Sequence, residues 1–115
     1  MNKETTRYYS DLHEKSVCKA LGAEQQSNSG AGLFAKGDVV NKDASLLVEC
    51  KTCMSEKTSF SIKKDWLEKN KKEANEINLF NSMLCFNFGP NTENYYVISE
   101  KLAKYLVEKL TEDGV

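Results

Sequence analysis

In Gly37-Asp38-Val39-Val40-Asn41-Lys42-Asp43-Ala44-Ser45-Leu46-Leu47-Val48-Glu49-Cys50-Lys51 lies the segment from which the architecture is best read. Two aliphatic, β-type runs flank the turn-forming cluster Asn41-Lys42-Asp43-Ala44-Ser45, so the whole reads as a β-hairpin. Side chains alternate between faces along the second run: Leu47, Glu49 and Lys51 point one way, Leu46, Val48 and Cys50 the other. A carboxylate and an ammonium therefore share a face, and Asp38 on the neighbouring strand can reach the same spot. A half-buried strand rarely spends two positions on charges, because each charge withdrawn from water is costly unless paired or metal-bound. Two carboxylates converging beside a lysine make a hard, oxygen-lined site suited to Mg²⁺, with a cation at hand for a phosphate or a water.

The rest of the chain fits one domain spanning residues 1–115, long enough to bury most of its unfolded surface. Its 40% apolar and 29% charged content is that of an ordinary globular protein. The start is polar and no apolar run approaches membrane-spanning length, so no membrane partner and a cytoplasmic location are expected. Net charge is −1, which argues against a strong sequence-blind polyanion binder and makes any nucleic-acid surface a local one. The basic cluster around Lys63, Lys64, Lys69, Lys71 and Lys72 is the candidate, with Lys36, Lys51 and Lys57; interleaved acids make a plain solvated helix face its alternative. Cys18, Cys50, Cys53 and Cys85 sit in or beside apolar patterns and read as reduced, mostly buried thiols; Cys50-Lys51-Thr52-Cys53 has a C-x-x-C form that zinc or redox chemistry would also use.

In chain order, Tyr9 to Leu21 predicts an amphipathic helix capped by Ser10 and ended by Gly22, with the single histidine, His13, facing solvent. Ala23–Gln26 predicts a short strand, and Ser27-Asn28-Ser29-Gly30-Ala31-Gly32 a small-residue loop leading past Leu33 and Phe34 to the hairpin. A second helix is expected from an N-cap at Ser61 to about Ile77, with Ile62, Trp66, Leu67, Ala74 and Ile77 inward. Met83–Phe88 reads as a buried strand and Tyr95–Ile98 as a shorter one. Ser99 then caps a last helix whose apolar side is Leu102, Ala103, Leu106, Val107 and Leu110. The order α-β-β-β-α-β-β-α predicts an α/β fold, a mixed central sheet flanked by helices.

Asp38, Glu49 and Lys51, spaced as D-x(10)-E-x-K, resemble the active site of the PD-(D/E)xK nucleases, in particular the small Holliday-junction-resolvase-like endonucleases of phage and archaea. The resemblance implies a restriction-endonuclease-like αβββαβ core from Tyr9 to about Ile98, with an extra strand and a C-terminal helix. It implies Glu14, in Glu14-Lys15-Ser16-Val17-Cys18, as a third carboxylate. Ser29, with Ser27 the weaker choice, matches the family's serine near the scissile phosphate. Lys63 or Lys64 would stand where some relatives place a glutamine or lysine over the site, and Lys36 would add to the DNA surface. Gly37 replaces the proline of the family's Pro-Asp, a position without chemical duty.

The implied reaction is hydrolysis of a DNA phosphodiester, with Mg²⁺ (or Mn²⁺) held by Asp38, Glu49, the Cys50 backbone carbonyl and Glu14, and Lys51 acting on water or oxyanion. The implied substrate is branched DNA and the implied assembly a two-fold homodimer, with Leu33, Phe34, Tyr95, Tyr96 and Tyr105 among the candidates for its face. Phage or prophage origin would fit the compact size. The alternatives are a nicking or restriction-type nuclease of the same fold and a non-catalytic relative that binds DNA or protein.

Overall fold

A computed structural model describes residues 4–26 and 38–114. Its elements are α1 (Glu4–Leu21), β1 (Glu24–Gln25), β2 (Asp38–Asn41), β3 (Leu46–Lys51), α2 (Lys64–Glu76), β4 (Asn81–Phe86), β5 (Tyr95–Val97) and α3 (Glu100–Asp113). That is the expected order. The five strands form one mixed sheet in the order β1-β2-β3-β4-β5, antiparallel except for the parallel pair β3–β4, which α2 connects.

The hairpin forms as its sequence dictates. Asn41 Oδ1 accepts from the Ala44 amide at 2.9 Å, the Ser45 amide donates to the Lys42 carbonyl, and Ser45 takes a positive φ to turn the chain. Period-two alternation then divides the sheet into two apolar faces. Val39, Leu46, Val48, Cys50 and Cys85 pack with Val17 of α1 on one face. Val40 and Leu47 pack with Ala74 of α2 and with Leu79 on the other. The helices therefore cover opposite sides of the sheet.

Element ends differ from expectation for local reasons. α1 begins at Glu4 rather than Tyr9, since nothing between the two breaks a helix. Its end is held by the Ala23 amide on the Cys18 carbonyl and by Asn41 Nδ2 on the Leu21 carbonyl at 2.8 Å. α2 starts at Lys64, and its N-cap Lys63 contributes no side-chain bond. Ser61 does not cap it. Phe60 is instead stacked on Phe86, ring centroids 4.8 Å apart, and the backbone is still extended at Lys63. β4 starts at Asn81, in register with Leu46, and stops at Phe86. Beyond it Asn87 is buried, and its Oδ1 accepts from the Cys53 and Gly89 amides.

Two expectations about burial are corrected, those for His13 and for Leu67, which is 36% exposed rather than inward. His13 is 4% exposed, not solvent-facing, because it lies one turn before Val17 on the stripe of α1 that meets the sheet. α3 is capped as predicted, Ser99 Oγ accepting from the Leu102 amide, but none of its residues is buried. Among the described residues no helix is long and apolar enough to cross a membrane.

Candidate active site

Asp38 and Glu49 are direct cross-strand partners in the β2–β3 ladder. Side chains of such a pair project from the same face, with Cβ atoms about 5 Å apart. Both are nearly inaccessible, Asp38 at 1% and Glu49 at 8% exposure. Two residues on, Lys51 returns to that face and its Nζ lies 2.9 Å from Glu49 Oε2. The other Glu49 oxygen, Oε1, is buried and accepts no hydrogen bond. An unfilled lone pair on a buried carboxylate is expensive unless something fills it. Hard oxygen donors and a vacant buried acceptor fit a divalent cation.

The face that carries these groups is the one covered by α2. Trp66 of its first turn lies under the ammonium of Lys51, 4.3 Å from Nζ to ring centroid, a cation–π contact that fixes where the charge sits. Lys63 Nζ lies 5.7 Å from the same ring, whereas Lys64 is highly exposed and extends toward Glu68. Of the two lysines left open by the sequence, Lys63 is thus the one brought to the edge of the site. Trp66 also neighbours Phe60, so it works as a packed support.

Further along α2, Asn70 is 2% exposed; its Nδ2 donates to the Met83 carbonyl at 2.8 Å, and its Oδ1 is buried without a partner. Glu73, half-buried, has its carboxyl pushed above the usual range by burial, an effect opposed by Lys69 and reinforced by the negative charge of Glu49. Asn70 and Glu73 were missed in the sequence. The available signal was their spacing with Trp66 and Ala74: polar residues at inward-facing positions of a helix that otherwise buries apolar ones.

Glu14 enters from the other side. α1 packs on the face opposite Glu49, and there Glu14 Oε1 accepts from Gln25 Nε2 at 3.1 Å, the same amide that donates to Asp11 at 3.0 Å. Among the described residues no three His, Cys, Asp or Glu side chains are grouped closely enough to hold a metal ion. The assembled pair is Asp38 and Glu49; further oxygens would come from backbone, water or phosphate. The Cys50 side chain is buried in the α1-side core, leaving its backbone carbonyl as the only donor it could offer. Burial pushes its thiol far above the ordinary range, with Cys85 and Glu14 adding to the effect. Ser27, Ser29, Lys36, Leu33 and Phe34 lie outside the described residues.

A second polar cluster sits beneath α1. His13 Nδ1 is 2.9 Å from Thr52 Oγ1, and its Nε2 is 3.4 Å from Cys85 Sγ. Burial lowers the His13 pKa and pushes the Cys85 thiol up to about 12, so both groups are neutral at pH 7 and act as packed hydrogen-bonding residues. All four cysteines are free thiols; Cys50, Cys53 and Cys85 are buried, and Cys53 Sγ donates to the Ser55 carbonyl. No protein-family model, no curated protein and no solved structure matches this chain.

Proposed function

We propose that this protein is a Mg²⁺-dependent endonuclease of the PD-(D/E)xK type, hydrolysing phosphodiesters in branched DNA such as four-way junctions. The observation that carries the reading is the register of Asp38 opposite Glu49 with Lys51 on the same face, 2.9 Å from Glu49. A structural ion pair on a strand needs one acid and one base. A second acid aligned opposite the first, both withdrawn from water, is what phosphodiester hydrolysis asks for.

Asp38 and Glu49 would hold the ion, which when bound lowers the pKa of a coordinated water and offsets charge building on the phosphate. Lys51, held over Trp66, would orient the attacking water or stabilise the developing oxyanion. Lys63 at the rim would contact a flanking phosphate. The restriction-endonuclease-like core belongs to this same reading, as does a two-fold dimer whose paired sites would match the two strands cut in a junction.

Purified protein incubated with Mg²⁺ and a synthetic four-way junction, beside linear duplex and flap substrates, tests the activity. Symmetric cleavage of the junction is expected. Cutting confined to linear or mismatched duplex would select a nicking or restriction-type enzyme. Intact substrates with every divalent metal would leave a binding protein built on the same scaffold.

A further inference from the structure

We propose that the cavity between α1 and the β4–β5 turn is a binding pocket for an uncharged nucleobase, held by a ring carbonyl on the side-chain amide of Asn87. The cavity, about 230 Å³, lies on the α1 face of the sheet, opposite the face that carries Asp38 and Glu49. Thr52 and Asn87, the residues that directly follow the parallel strands β3 and β4, line it together with His13. In open α/β sheets, the crevice outside the carboxyl ends of parallel strands is where ligands bind.

Asn87 is 3% exposed and His13 4%, yet both border the cavity. Asn87 Oδ1 accepts from the backbone amides of Cys53 and Gly89, at 3.3 and 3.4 Å, and these two donors fix which end of the carboxamide is the oxygen. Its Nδ2 is the end left for the cavity and donates to nothing among the described residues. A buried amide donor without an acceptor is costly, so the site asks for a ligand oxygen. The rim is set before any ligand arrives. Pro90 and Asn91 form the centre of a turn, with Asn91 at positive φ and both the hydroxyl and the amide of Thr92 on the Gly89 carbonyl. Gly89 in turn sits so close to Glu56 that a Cβ would stand 3.0 Å from its Cα. Such a preformed site loses little entropy on binding.

The lining selects the class of ligand. None of its side chains is charged at pH 7, since burial keeps His13 neutral, so a phosphate, carboxylate or ammonium would lose its water without gaining a counter-ion. The Ser16 and Thr52 hydroxyls and the Asn91 and Asn94 amides offer donors and acceptors, whereas Tyr9, Leu12 and Pro90 are apolar wall. A flat ring with a polar edge meets both kinds of surface at once; a sugar would turn some of its hydroxyls against the apolar side. The volume falls below the roughly 300 Å³ at which drug-sized pockets begin, which suits one base and excludes a dinucleotide.

The pocket involves neither metal nor cleavage, so it stands apart from the nuclease reading. Titration of the full ¹⁵N-labelled chain with uridine, whose ring carries carbonyls, tests it through backbone and side-chain amide resonances, without metal or DNA. Saturable shifts of the Asn87 side-chain amide, Thr52 and Asn94 are expected, and ribose at the same concentration should leave them in place. Asn87→Asp keeps an acceptor for the Cys53 and Gly89 amides and removes the donor; it should weaken uridine binding at least about tenfold. Ser16→Phe places a ring across the mouth from an exposed position on α1, and should do the same if Asn87→Asp does not fold. A short duplex with a single unpaired thymidine, beside its fully paired control, separates the sources of the base. The same shifts with the bulged duplex mark a base extruded from DNA, and shifts with uridine alone mark a free nucleoside. No saturable shift with either probe, an equal response to ribose, or unchanged uridine affinity in a folded variant overturns the proposal.

Discussion

On the proposed function, Lys51 stands at the point where two physical demands meet: it neutralises a buried carboxylate and would still have to reach a phosphate or a water. Its ammonium satisfies both by resting between Glu49 and the face of Trp66. Lys51→Met keeps the aliphatic stem on the indole and removes the charge. It is predicted to lower cleavage about 10²–10³-fold, the scale of losing one transition-state donor, while metal binding persists. Asp38→Asn should act on the earlier step. A site-bound ion at a hundred times its dissociation constant adds about 2.7 kcal/mol of stability, and thermal melts with and without Mn²⁺ should show that increment in the wild type and not in Asp38→Asn. His13 supplies a pH test. Burial holds its folded-state pKa below the ordinary value of 6.5, so the unfolded chain binds the proton more readily. Stability is then complete above pH 6.5 and lost as the pH falls through and below it. Melting temperature against pH should therefore slope downward on the acid side in wild type and flatten in His13→Leu; equal slopes would place the acid sensitivity elsewhere. These residues were not equally visible in the sequence. Alternation alone put Glu49 and Lys51 on one face, but the burial of His13 depends on which side of α1 meets the sheet, which its weak apolar stripe did not resolve.

At the scale of elements, the hairpin and the N-terminal cap of α3 were legible because their causes are local: a turn-former cluster and a serine at the N-cap. The start of α2 was not. Ser61 has the chemistry of a cap, but Phe60 before it stacks on Phe86, far away in sequence, and the backbone is still extended at Lys63. The same tertiary logic hid Glu73 and Asn70, whose significance appears only when α2 is laid over β3 and β4. Ser99→Ala should cost about 1 kcal/mol. Because α3 is buried nowhere in the single chain, hydrogen exchange should register that cost as local fraying of α3 with the sheet unaffected.

For the molecule as a whole, the order of elements follows from periodicity and turn signals, and with it the mixed sheet between two covering helices. What periodicity cannot provide is the distribution of functional groups between the faces. One side of the sheet holds Asp38, Glu49, Lys51 and Glu73 under α2, whereas Glu14 and the neutral His13–Cys85 cluster lie under α1. The burial pattern also sets thiol reactivity. With a thiol-specific chromogenic reagent at pH 8, half-buried Cys18 should be the only cysteine to react in the native protein, and slowly, since burial and the charges of Glu14 and Glu24 raise its pKa. Cys50, Cys53 and Cys85 should respond only after unfolding; fast reaction of more than one thiol would contradict this packing. The proposed activity turns on a divalent ion held between two opposed carboxylates. Anomalous diffraction from crystals soaked in Mn²⁺ reads that directly: a peak bridging Asp38 and Glu49, absent from Asp38→Asn, is the predicted result. An empty map at that position, with Lys51 still bound to Glu49, would contradict it.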